Sequence, residues 1–237
     1  MDYSQYANAG LENKTDKDVN IPVITICQAS SPQFDATKPD HAQKKIEDIK
    51  PGHLFNSANN KIIKQPIEII PCQYTVNYPE WKSGESSGAP VTVHKDESIL
   101  RETVRNDKNK DVLPNGNYVE TTYNFLVMFR EAESDEWLPA IIRMKSTQIK
   151  NAKNWITVMD SIKMTTPDGT KFTPPTFSHT YSLTTGPENN KHGSWFGFVI
   201  KIIGPQEDSE VANQAIGMYE SATSYLAEKK ALPVSED

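Results

Sequence analysis

Residues 118–164 read YVETTYNFLVMFREAESDEWLPAIIRMKSTQIKNAKNWITVMDSIKM, and within them the hydrophobic period changes once. Tyr118–Arg130 is dense in β-branched and aromatic residues and predicts a strand, and Leu138–Lys145 predicts a second. The acidic connection Glu131, Glu133, Asp135 and Glu136 makes the pair a hairpin. From Ser146 to Met164, Ile149, Ala152, Ile156, Met159 and Ile162 recur at three- and four-residue intervals, which predicts an amphipathic helix capped by Ser146 or Thr147.

Upstream, PIEIIPCQYTVNY (66–78) predicts a long strand bent at Pro71, with Ile70, Cys72, Tyr74, Val76 and Tyr78 on one parity. Downstream of an Asp168-Gly169 turn, Thr180–Thr185 and Ser194–Ile203 predict two more strands. The resulting order, β-β-β-α-β-β, is that of an OB-fold, a small Greek-key barrel with its helix after the third strand. Other open barrels and sandwiches share that order and stay open. The expected class is therefore mainly β with helices (α+β), an OB-fold-like Greek-key barrel with an inserted helix and a C-terminal helix. That last helix spans about Ser209 to Lys230, with Val211, Ala215, Met218, Ala222, Tyr225 and Leu226 on one face.

Around this frame, residues 1–20 carry no apolar periodicity and read as a flexible arm. A β-branched strand, Ile21–Cys27, follows, then a short helix over Ala42–Ile49 ended by Pro51-Gly52. A polar excursion at about 83–111 reads as mobile. The expected organisation is an arm over 1–20, one barrel domain over 21–203, and a helix with a short acidic tail over 204–237.

The chain has 237 residues, 25 Lys+Arg against 31 Asp+Glu and a net charge of −6, which excludes a generally basic binder. No run of about 18 apolar residues exists to span a membrane. The polar, acidic start has neither the cationic beginning nor the apolar core of a secretory signal, so a cytosolic location is expected. Cys27 and Cys72 lack metal or redox spacing and read as buried thiols. His41, His53, His94, His179 and His192 show no metal-ligand spacing, and no phosphate loop, nucleophile elbow or kinase signature is present. Asp160 and Asp168 could be imagined as an acid/base pair, but capping and solvation explain them better. Neither an enzyme, a metal nor a cofactor is indicated.

Charge distribution says more. From Ala140 to Lys201 eight cations face three anions, a local +5, while the rest of the chain carries −11. Seven aromatics interleave that cationic stretch. Single-stranded nucleic acid needs cations along its phosphates and aromatic faces for its bases. Candidate phosphate contacts are Arg143 and Lys145, on one parity of their strand, Lys150 and Lys153, on the polar face of the helix, and Lys171. Candidate stacking residues are Trp155, Phe172, Tyr181 and Trp195. Aromatics in barrel strands also serve as core and scattered lysines as a solvated face, so each position keeps both readings. Residues 204–237 hold seven acids and two lysines, and the terminal Ser235, Glu236 and Asp237 are candidates for docking partner proteins.

The segments IPVITICQASSP (21–32), PGHLFNSAN (51–59), NYPEWK (77–82), KSTQIKNAKNW (145–155) and Gly193-Ser194-Trp195-Phe196-Gly197 occur in an order that resembles phage-encoded single-stranded-DNA-binding proteins. The resemblance implies an OB-type core that coats transient single strands during phage DNA replication or recombination in the cytoplasm of an infected bacterium. It also implies an acidic tail that recruits replication or recombination proteins, and makes KSTQIKNAKNW and GSWFGF the functional block. The first expectation is thus a non-catalytic, sequence-tolerant single-stranded-DNA-binding protein. The alternative is a phage structural or adaptor protein whose β-barrel binds a protein partner.

Overall fold

Two long ladders form the frame of the computed structural model, which describes residue 9 and residues 21–84, 89–191 and 193–231, the last seven by backbone alone. β4 (Ile67–Trp81) pairs antiparallel with β9 (Thr122–Glu131), which pairs antiparallel with β10 (Leu138–Lys145). On its other edge β4 pairs with β13 (His179–Asn190), and β13 pairs along its length with β14 (Gly193–Pro205). β1 (Val23–Ile26) lies parallel to β10, with β2 (Leu54–Asn56) and β3 (Ile62–Ile63) beyond it. The protein is mainly β with a few helices: a one-turn α1 (His41–Lys44), α2 (Ile149–Ser161) and α3 (Ser209–Ala231).

Alternation along β10 explains how the sheet acquires an inside. Ala140, Ile142 and Met144 are buried and Arg143 and Lys145 exposed, as a period of two requires. The helical period of α2 places Ala152, Trp155 and Met159 in the same core. That core contains residues from β1 (Ile24), β4 (Ile67), β9 (Phe125), β13 (Leu183) and β14 (Phe198), so the sheet curls until its two sides share one interior. On the opposite side, Val211 and Ala215 of α3 bury Ile70, Cys72 and Met128. Burial pushes the Cys72 thiol up to about 12 and raises that of Cys27, so both stay protonated.

The curled sheet is not closed: among the described residues no backbone ladder joins β14 to β1. Side-chain amides bridge the seam instead. Gln28 donates from Nε2 to the Phe196 carbonyl at 2.8 Å and accepts from the Phe196 N–H at 2.8 Å, while Gln148 Oε1 accepts from the Phe198 N–H at 3.0 Å. Each supplies what a neighbouring strand would, so the Phe196 N–H and carbonyl and the Phe198 N–H are satisfied without a ladder. Gly52 sits under this seam at φ +93, where a Cβ would lie 2.8 Å from Phe196 Cε1. Gly52→Ala is expected to destabilise the protein by about 1–3 kcal/mol, from strained backbone and overpacking together. A urea melt within about 0.5 kcal/mol of the parent, the range of an ordinary surface substitution, would overturn this.

Several boundaries differ from expectation. The helix expected over Ala42–Ile49 is a single turn, and the strand expected over Tyr118–Arg130 divides into β8 (Tyr118–Val119) and β9. Neither Ser146 nor Thr147 caps α2: Ser146 takes φ +52 in a 3₁₀ turn over Ser146–Gln148, and Gln148 occupies the cap position without a side-chain bond.

The excursion expected to be mobile is built into the sheet over its described part. β5 (Thr92–His94) and β8 pair with the far end of β4, β6 (Val104–Arg105) and β7 (Asp111–Val112) form a hairpin, and Tyr78, Leu113 and Val119 give the lobe its own small core. Glu80, only 6% exposed, fastens it. Its carboxylate accepts from Asn117 Nδ2 at 2.5 Å and Asn115 Nδ2 at 3.1 Å and lies 2.9 Å from His94 Nε2. These bonds, the one from Asn117 foremost, hold the Glu80 pKa below the ordinary 4.5. A carboxyl whose pKa is lower folded than unfolded stabilises the fold above its unfolded value, and that contribution disappears as pH falls through the folded value. Glu80→Gln is therefore expected to flatten the loss of melting temperature below pH 4.5 relative to the parent protein. Superimposable pH profiles of the two proteins would refute it.

Candidate nucleic-acid interface

Beyond the main core, the far end of β4 and the start of β9 carry an inward face that is only partly covered. Tyr74, Val76 and Tyr78 follow one parity of β4, and Tyr74 pairs across the ladder with Phe125 at 5.7 Å between ring centres. Together with Tyr123 they floor a groove of about 1540 Å³. One wall is the excursion, through Arg105, Lys108 and Lys110, with Tyr118 of β8 beside it. The other comprises the start of α2, with Ile149, Lys153 and Ile156, and the β13–β14 tip, with Asn190 and Trp195. Tyr74 is 41% exposed and offers a usable ring face.

Charge in the groove is balanced. Arg105, Lys108, Lys110 and Lys153 face Glu97, Asp107, Asp111 and Glu120. Several are already engaged: Arg105 pairs with Asp111 at 3.3 Å, and Lys110 Nζ lies 3.5 Å from the centre of the Tyr118 ring. Lys108 and Lys153 have no ion-pair partner among the described residues. At the tip, Trp195 donates from Nε1 to Glu188 Oε2 at 3.1 Å, and Asn151 Nδ2 donates to Glu188 Oε1 at 2.7 Å. A second concavity, about 360 Å³, has the wrong sign for phosphate, being lined by Asp135, Glu136, Asp208 and Glu210.

The residues singled out from sequence are not gathered in one place. Lys153 and Trp195 line the groove. Lys145 stands at its margin, bonded to Glu120 Oε2 at 2.7 Å and 5.8 Å from the Trp81 ring centre. Arg143 shares the outer face of β10 with it and donates from Nε to Asn124 Oδ1 at 3.1 Å. Lys150 is exposed on α2, while Lys171 and Phe172 are exposed on a separate hairpin of β11 (Met164–Thr165) and β12 (Lys171–Phe172). Stacking on Trp155 and Tyr181 is corrected: at 3% and 1% exposure both rings are core and present no face to a base. Ser235, Glu236, Asp237 and the arm over 1–20, residue 9 apart, lie outside the described residues.

The sequence reading missed Tyr74, Tyr123, Arg105, Lys108 and Lys110. Tyr74 and Tyr78 on one parity of a strand, and a turn holding Lys108 and Lys110 between Val104 and Val112, were the available signals.

No group of three or more His, Cys, Asp and Glu among the described residues is placed to hold a metal ion, and no described helix is long and apolar enough to cross a membrane. A mainly β protein with an aromatic groove beside a helix-capped core is thus the class that fold and site define. By sequence the chain belongs to the Pam3 phage gp34-like protein family, whose model matches residues 1–227, and this places it among phage proteins. No curated protein and no solved structure matches it.

Proposed function

We propose that the protein binds single-stranded DNA in this groove, without catalysis or sequence specificity, and protects exposed strands during phage replication or recombination. The observation that carries the reading is one groove in which Tyr74, Tyr123 and Trp195 stand beside the cations Lys108 and Lys153, which have no ion-pair partner among the described residues. Aromatic faces for bases and cations for the backbone are the two requirements of sequence-tolerant single-strand binding. An OB-type frame is part of the proposal. β4, β9, β10, α2, β13 and β14 follow the OB order, and the groove lies between the connection of the first two of those strands and that of the last two, where OB folds take oligonucleotides. In this reading β1 occupies the place between the third and fifth barrel strands.

The test is a titration with oligothymidine at two salt concentrations beside a duplex of equal length, followed by tryptophan fluorescence. Tight, salt-sensitive binding of the single strand and much weaker binding of duplex are expected. Absence of binding at low salt would reject the proposal. It would leave a phage adaptor that takes a protein partner, the reading favoured by the equal numbers of cations and anions on the groove walls.

A further inference from the structure

A carboxylate beside a surface meant for phosphates is electrostatically unfavourable, yet Glu188 stands at the groove next to Trp195. The two are cross-strand partners in the β13–β14 ladder. Both carboxylate oxygens are engaged, Oε2 by the Trp195 indole N–H at 3.1 Å and Oε1 by Asn151 Nδ2 at 2.7 Å. Asn151 is itself tied to Gln148 Oε1 at 3.1 Å, the amide that also bonds β14. The carboxylate reaches Asn151 by crossing β14 directly above Gly197, where a Cβ would lie 1.9 Å from Oε1. Thus the glycine of the Trp195-Phe196-Gly197 segment is what allows a strand residue to be joined to the helix.

We propose that Glu188 is a positioning residue: through the Asn151 and Gly197 arrangement it fixes the Trp195 indole as a rigid platform at the mouth of the groove. The inference rests on the groove being the single-strand site. A platform already immobilised loses less rotamer entropy when a base stacks on it. Glu188 thus has two opposed effects, favourable through Trp195 and unfavourable through its charge, and conservative replacement separates them. Glu188→Gln keeps an oxygen for the indole N–H while removing the charge, and gives up only the bond from Asn151, whose amide stays turned toward Gln148. Glu188→Ala removes both the oxygen and the charge. Gly197→Ala keeps the carboxylate but displaces it, and because the clash is with the end of a flexible side chain the fold survives.

The experiment observes the indole N–H of Trp195 by nitrogen–proton correlation NMR, identified as the signal lost in Trp195→Phe, and titrates each variant with oligothymidine. In Glu188→Gln the signal is expected to stay protected from solvent exchange, with binding about two- to fivefold tighter at low salt, the scale of one exposed charge interaction. In Glu188→Ala and Gly197→Ala it is expected to exchange rapidly, with binding about two- to tenfold weaker than by Glu188→Gln for the first, which shares its loss of charge, and about two- to tenfold weaker than by the parent for the second, the scale of one side chain's ordering entropy. An indole signal unchanged in Glu188→Ala, or binding by Glu188→Ala as tight as by Glu188→Gln, overturns the positioning role. If no protein in the series binds the oligonucleotide, the single-strand reading fails, and the exchange rates still decide whether Glu188 fixes Trp195.

Discussion

Trp155→Ala is expected to destabilise the fold by about 3–5 kcal/mol, the range for truncating a fully buried aromatic residue. Against a typical total of about 5–15 kcal/mol, that removes a large fraction of the stability. The indole lies 4.5 Å from the Phe125 ring centre and 5.8 Å, edge-on, from Tyr181, so truncation opens a cavity between α2, β9 and β13. Its N–H and the Tyr181 hydroxyl find no partner among the described residues, and burial pushes the Tyr181 pKa up to about 12. Trp155→Phe gives up volume but also removes an unpaired buried donor, which on its own costs about 1–3 kcal/mol. The phenylalanine variant is therefore expected to lose much less than the alanine one. Urea denaturation of the two variants measures the difference. A stable Trp155→Ala that has lost oligonucleotide binding would return this residue to the groove and contradict its core role.

Trp155 also shows where sequence reading stops. The spacing of Ile149, Ala152, Ile156, Met159 and Ile162 identified the apolar face of α2, but Trp155, which lies beside Ala152 and Met159 in the core, sat among lysines that suited a stacking residue. Periodicity reports which face of an element is covered, not what covers it. The strand–helix order was legible because the period changes from two to 3.6 within a few residues at Ser146, and the parity of Tyr74, Val76 and Tyr78 was legible for the same reason. The groove was not. It depends on β4 running on past Tyr78 to Trp81 and receiving β5 and β8, pairings made across long separations by a segment whose composition resembles a loop. Glu80 decides that segment's fate, and one glutamate between Pro79 and Trp81 carries no local sign of having two asparagines and a histidine waiting for it. Likewise, summing charge along the chain collected Lys163, Lys171 and Lys201 with Lys153, although folding leaves only the last in the groove. The cations that join it come from residues 105–110, outside the basic stretch.

Replacing Tyr74 and Trp195 together by alanine is expected to weaken single-strand binding by about 2–6 kcal/mol, since each base–aromatic stack contributes about 1–3 kcal/mol. That corresponds to roughly thirtyfold at the lower bound and more than a thousandfold at the upper. Stability should change little, because neither Tyr74 nor Trp195 is fully buried. The loss should also be nearly independent of salt, as stacking releases no counterions. Lys108→Gln with Lys153→Gln should behave in the opposite way. Affinity falls mainly at low salt, and the slope of log K against log salt becomes shallower by about 1.4, two phosphate contacts at about 0.7 each for a single strand. The two double variants therefore separate the base-facing floor of the groove from its backbone-facing walls. If both sets of substitutions change affinity and salt slope alike, the groove binds its ligand through a general field rather than through this arrangement. If neither changes binding that the parent protein does show, the strand lies elsewhere, and the exposed pair Lys171 and Phe172 on the β11–β12 hairpin becomes the surface to mutate next.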